Sequence, residues 1–78
     1  MKILIIEDEA LLADSLRTLL GRAGFEVEVV SDGDSGAEYA LTGIYDLLLL
    51  LDVMVPRLDG FSLARRVRAE RVTTPILR

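Results

Sequence analysis

The 78-residue sequence has no cysteine, no histidine and no tryptophan. Without cysteine, no disulfide can hold the fold together. Without cysteine and histidine, thiolate and imidazole catalysis and the usual zinc and copper sites are excluded. A bound metal would have to be held by carboxylates, which points to Mg²⁺, Mn²⁺ or Ca²⁺. Aromatic residues are equally scarce. Phe25, Tyr39, Tyr45 and Phe61 stand singly, so the chain offers no stacking platform for nucleic acid. Gly21, Gly24, Gly33 and Gly36 form no G-x-G-x-x-G, and there is no P-loop. Long apolar runs are missing too. Ile3–Ile6 stops at Glu7-Asp8-Glu9, too short for a signal-peptide core, and Leu47–Leu51 falls far short of a bilayer span. A cytoplasmic location without membrane contact is the expectation.

What remains is a chain that is 51% apolar and 28% charged, a balance that suits one small folded domain over residues 1–78. Its charge is unevenly spread. Residues 1–56 hold 3 basic and 11 acidic side chains, whereas residues 57–78 hold 6 arginines and 2 acids. The net charge of −4 argues against nucleic-acid binding by this segment. The arginine-rich end reads as a solvated helix face.

The apolar pattern alternates between two periods. Lys2–Ile6 is a continuous run of the kind found in a parallel strand buried on both faces. Glu7-Asp8-Glu9 ends it and is placed to cap a following helix. Leu12, Leu16, Leu19, Leu20 and Ala23 recur at helical spacing and predict one packed face, closed by Gly24. Phe25, Val27 and Val29 alternate with Glu26 and Glu28, which predicts an edge strand with one wet face. A second helix starts after Ser31-Asp32 and carries Ala37, Ala40 and Leu41. Leu47–Leu51 predicts a central third strand, ended by Asp52. Residues 53–60 read as a loop. Phe61, Leu63, Ala64 and Val67 define a third helix with Arg65, Arg66 and Arg68 outward, and Thr73–Leu77 begins a fourth strand. The order β-α-β-α-β-α-β is the signature of an α/β fold with a parallel sheet.

Asp8 and Asp52 each follow directly on a predicted buried strand. Ligands of open parallel sheets bind outside the carboxyl ends of the strands, where the strand order reverses. If the two strands are neighbours, the carboxylates converge and repel, by roughly 4 kcal/mol at 4 Å and an effective dielectric of 20. With Glu7 beside them they form a hard-oxygen set suited to Mg²⁺. The same acids could instead cap a helix and solvate a loop. Spacing alone leaves both readings open.

These residues resemble the response-regulator receiver domain of two-component signalling. The likeness rests on Lys2-Ile3-Leu4-Ile5-Ile6-Glu7-Asp8-Glu9, on Tyr45-Asp46 before the leucine run, on Asp52-Val53-Met54-Val55-Pro56-Arg57-Leu58-Asp59-Gly60, and on Thr74-Pro75-Ile76-Leu77. It implies a flavodoxin-like sheet in the order 2-1-3-4, truncated before a fifth strand. It also implies that Asp52 is the phospho-acceptor served by a histidine kinase. In that pattern Mg²⁺ is held by Asp8 and Asp52 directly, by the Met54 carbonyl, and by Glu7 through water. Pro56, Asp59 and Gly60 would shape the site loop. The wording around Asp52 is most similar to regulators of transcription. An aspartyl phosphohydrolase would carry a second acid where Met54 stands, so an enzyme is not expected.

Two departures from the family pattern bear on function. The hydroxyl after strand four and the lysine after strand five are missing, which implies impaired phosphorylation and switching. Five leucines separate Asp46 from Asp52, where the family usually has four residues. One extra residue in a strand exchanges its faces. Its absorption on the Asp46 side is the expectation. The competing reading is a structural piece that self-associates through an open edge of the third strand and an uncovered sheet face.

Overall fold

A computed structural model describes residues 1–50 and 60–77, with side chains from 63 onward in the second stretch. The elements run β1 (Lys2–Ile6), α1 (Ala10–Arg22), β2 (Glu26–Val30), α2 (Gly33–Ala40), β3 (Leu47–Leu50), α3 (Gly60–Ala69) and β4 (Ile76–Leu77). All strand pairs are parallel, in the order β2-β1-β3-β4. This is the flavodoxin-like arrangement that the periodicity and the resemblance both imply.

The continuous apolar runs occupy the two central strands, as burial on both faces requires. Leu4, Ile6, Leu48 and Leu50 point to one side and pack with Ala37, Ala40, Leu63 and Val67 of α2 and α3. Ile3, Ile5 and Leu49 point to the other, where only α1 lies. The two faces are unequally covered. Leu16, Leu20, Phe25, Val27, Val29 and Leu47 on the α1 side are all only partly buried.

β1 and β3 pair without a bulge from Ile3 beside Leu47 to Ile6 beside Leu50. The Asp46 N–H donates to the Lys2 carbonyl at 2.7 Å, and its carboxylate accepts from the Lys2 N–H at 2.7 Å. Pairing is thus regular from Asp46 to Leu50. Leu51 and Asp52, where the extra residue would have to be followed, lie outside the described residues.

Three expectations need correction. First, β3 is not an open edge, because β4 pairs with it at Leu48 and Leu49. Second, the packed stripe of α1 is Ala13, Leu16 and Leu20, while Leu12 is 40% and Leu19 63% exposed. Ala13 fits closest to the sheet because it is small. Third, no acid of Glu7-Asp8-Glu9 caps α1 with its side chain. Glu9 is the N-cap residue through its backbone alone.

The helix ends follow local chemistry. Asp32 caps α2 by accepting from the Ser35 N–H at 2.7 Å. Gly24 stands at φ +97 after α1, with the Gly24 N–H on the Gly21 carbonyl and the Phe25 N–H on the Leu20 carbonyl. This six-to-one closure needs a left-handed residue, which glycine supplies without strain.

Candidate functional site

Glu7 leaves the end of β1 with its N–H donated to the Val30 carbonyl at 3.0 Å. The side chain turns inward and is only 4% exposed. The Glu9 N–H donates to Oε1 at 3.0 Å and fixes the carboxylate. Oε2 is buried and has no hydrogen-bond partner. A buried carboxylate oxygen without a partner costs several kcal/mol in a low-dielectric site, so a group of opposite charge belongs beside it. Asp8, the next residue, is exposed.

A cavity of about 390 Å³ opens at this end of the sheet, with Glu7, Asp8, Asp14, Arg17, Ser31 and Ser35 in its lining. It lies at the carboxyl ends of β1 and β2. On the other flank of β1, Ile6 is paired with Leu50, after which the chain leads to Asp52. Strand order reverses between β1 and β3, so the buried Glu7 sits where the fold places ligands.

Of the site residues read from the sequence, the structure describes Glu7 and Asp8, and it makes Gly60 the first residue of α3. Asp52, Met54, Pro56 and Asp59 lie outside the described residues. Among the described residues no group of three metal-ligating side chains forms. The chemistry of the donor set nonetheless suits a hard divalent cation. It is all carboxylate, and one oxygen is buried, oriented and unpaired.

A second polar cluster, at the opposite end of the sheet, was not anticipated. Tyr45 is 5% exposed and donates its hydroxyl to Glu28 Oε2 at 2.7 Å. Lys2 Nζ lies 3.3 Å from Glu28 Oε1 and 5.6 Å from the centre of the Tyr45 ring. The Tyr45 hydroxyl, and then Lys2, hold the Glu28 carboxyl below its usual range. Burial, and then Glu28, push the Tyr45 hydroxyl above its usual range. The Tyr45 carbonyl accepts from the buried Thr74 hydroxyl at 3.2 Å, so this one residue links β2, β3 and the approach to β4. The alternation that places Glu28 on a wet face conceals this. The available signal is a tyrosine directly before a buried strand.

Comparison with known proteins agrees with this geometry. Residues 3–78 match the family described as response regulator receiver domain. The chain is 46% identical over 77 residues to the transcriptional regulatory protein DltR of Streptococcus agalactiae serotype III (strain NEM316), covering 99% of this chain and 34% of that protein. It therefore spans about a third of the length of the curated relatives it matches. Among solved structures, the receiver domain of the hybrid histidine kinase CckA superposes with a TM-score of 0.86 at 33% identity, over 97% of this chain and 71% of that one. The response regulator TrrA of Thermotoga maritima, solved with Mg²⁺ and BeF, gives a TM-score of 0.85 at 27% identity, over 96% and 64% of the two chains. TrrA is also seen in complex with the histidine kinase ThkA, with a TM-score of 0.84 at the same identity and coverage.

Proposed function

The chain belongs to the response regulator receiver domain family, and we propose that Asp52 is its phospho-acceptor, served by a histidine kinase with Mg²⁺ bound at the acidic end of the sheet. The observation that carries this reading is the buried, unpartnered Oε2 of Glu7. The sequence supports it. Asp52 follows Leu50 by two positions, as Asp8 follows Ile6, and Leu50 is paired with Ile6.

Glu7, Asp8, Asp52 and the Met54 carbonyl would hold the cation. Bound there, Mg²⁺ supplies positive charge that offsets the carboxylates and the incoming phosphoryl oxygens. The Glu9 N–H keeps the Glu7 carboxylate from rotating away. An Asp52 oxygen attacks phosphorus, the P–N bond to the kinase imidazole breaks, and an acyl phosphate forms on Asp52. Pro56, Asp59 and Gly60 shape the loop that carries the acceptor. The chain acts as an acceptor in a relay and not as a turnover enzyme. The protein that contains it works in the cytoplasm, and its relatives point to control of transcription.

The isolated 78-residue chain accepts phosphate poorly. Its single lysine, Lys2, is engaged with Glu28 at the far end of β1, so no ammonium can steady a phosphoryl group at Asp52. Positioned charge supplies most of the catalysis in phosphoryl transfer. A second reading, self-association, is favoured by the exposed leucines of α1.

Incubation with acetyl phosphate and Mg²⁺, followed by mass spectrometry, tests the proposal. Slow labelling confined to Asp52, abolished by Asp52→Asn and by chelation, is expected. Label that persists in Asp52→Asn refutes the acceptor assignment. Complete labelling within minutes refutes the impairment. Mn²⁺ titration followed by electron paramagnetic resonance reads the metal site separately, and Glu7→Gln should weaken binding about tenfold.

A further inference from the structure

The most exposed apolar surface among the described residues is neither β3 nor the sheet, but the outer side of α1. Only Ala13 of its thirteen residues is buried. Leu11 is 80% exposed, Leu19 63% and Leu12 40%. Leu11, Ser15 and Leu19 are spaced four residues apart and so form one line along the helix. This line faces away from the packed Ala13, Leu16 and Leu20. A groove of about 440 Å³ runs along it, lined by Leu11, Asp14, Ser15, Thr18, Leu19 and Arg22.

Charge is graded along the same helix. Asp8 and Glu9, both exposed, precede its first turn, and exposed Arg22 ends it. An antiparallel copy brings unlike ends together, and a parallel copy brings like ends together. The arrangement is self-complementary. With a two-fold axis at Ser15, Leu11 of each copy meets Leu19 of the other, and Arg22 of each meets Asp8 of the other. The small Ser15 lies at the crossing, where two helices approach most closely.

We propose that the chain pairs with a second copy of itself through the outer face of α1, with the helices antiparallel about Ser15. This rests on the self-association reading given above and names its surface. The contact is isologous, so it closes on itself and gives a dimer and no larger array. Two short helices bury less than the ~1,200 Å² of stable complexes, and the pairing is correspondingly weak. Facing Cα atoms of helices about 8–10 Å apart are about 3.4–5.4 Å apart at the crossing, close enough for a disulfide at Ser15.

Sedimentation equilibrium and a cysteine scan test this on the 78-residue chain. The mass should rise from one chain to two between about 10 µM and 1 mM. Leu19→Glu should weaken association about tenfold, and Arg22→Glu several-fold with the loss fading in high salt. Circular dichroism checks that both variants stay folded. Because the chain has no cysteine, Ser15→Cys provides a single thiol. Under mild oxidation it should link at least tenfold faster than Glu38→Cys on α2. A monomer throughout the range overturns both this surface and the self-association reading. A dimer that ignores Leu19→Glu and links no faster at Ser15 than at Glu38 overturns this surface alone.

Discussion

Replacing Gly36 by alanine should destabilise the chain, although alanine is the better helix former. Gly36 lies inside α2, where alanine gains about 0.5–1 kcal/mol over glycine. Its missing Cβ is the obstacle. A methyl built there would stand 2.5 Å from Cδ1, 2.9 Å from Cγ1 and 3.3 Å from Cγ2 of Ile6. Ile6 is fully buried between α2 and the neighbouring strands, so its side chain has nowhere to swing. Overpacking of this kind costs about 1–3 kcal/mol, and the net loss should be about 0.5–2 kcal/mol. Thermal unfolding would then shift down by roughly 4–8 °C per kcal/mol. The double variant identifies the cause. Ile6→Val alone costs about 0.5–1.5 kcal/mol, but in the Gly36→Ala background it removes Cδ1, the nearest clashing atom, and should recover part of the loss. Urea unfolding of the four proteins measures the coupling. Gly36→Ala at or above wild-type stability would refute the close approach of α2 to β1. Strict additivity would refute Ile6 as the contact. Ile6 directly precedes Glu7, so Mn²⁺ binding in Gly36→Ala reports whether the shift reaches the acidic site.

Other outcomes follow from the same contacts. Arg71 stands at φ +62 after α3, with its N–H on the Arg68 carbonyl and the Val72 N–H on the Val67 carbonyl, the same closure that Gly24 makes after α1. Arg71→Gly should therefore raise stability by about 1 kcal/mol in urea titration, and a loss would show that the arginine side chain is needed there. Tyr45→Phe should destabilise the chain at neutral pH. Because Glu28 titrates below its usual value when folded, the stability it contributes is present above pH 4.5 and is lost as pH falls, so the two proteins should converge in acid. A gap that is independent of pH would remove Glu28 from the account. Glu7→Gln should stabilise the metal-free chain by removing a buried charge, and should abolish any rise in melting temperature on adding Mg²⁺.

Much of the fold is legible in the sequence because it depends on period and punctuation. Ile3–Ile6 and Leu47–Leu50 are apolar at every position, which only a doubly covered parallel strand tolerates, and both occupy the centre of the sheet. Asp32 and Gly24 mark helix ends by chemistry that needs no tertiary context. The misjudged features depend on what packs against what. Five apolar residues on α1 fit one helical face, but which of them touch the sheet depends on how near the helix approaches. Small Ala13 wins that contact over Leu12 and Leu19. Glu28 reads as a solvated strand residue because its partner Tyr45 is 17 residues away. The capping role assigned to Glu7 fails for a similar reason, since the nearest donor to its carboxylate is the Glu9 N–H across a tight turn.

The unequal faces of the sheet connect these observations to function. On the α2 and α3 side, Leu4, Ile6, Leu48 and Leu50 are fully or almost fully buried. That rigid layer aims the carboxyl ends of β1 and β3 toward one another, which a site built from both ends requires. On the α1 side, the helix contributes one buried alanine and two half-buried leucines. A helix held so lightly has its strongest remaining apolar and charged groups on the outside, where a partner can reach them. The acids at its start belong to the candidate site on one flank and to the exposed face of α1 on the other. An event at Glu7 and Asp8 is therefore one residue removed from the first turn of α1, and the path from site to surface is as short as the chain permits.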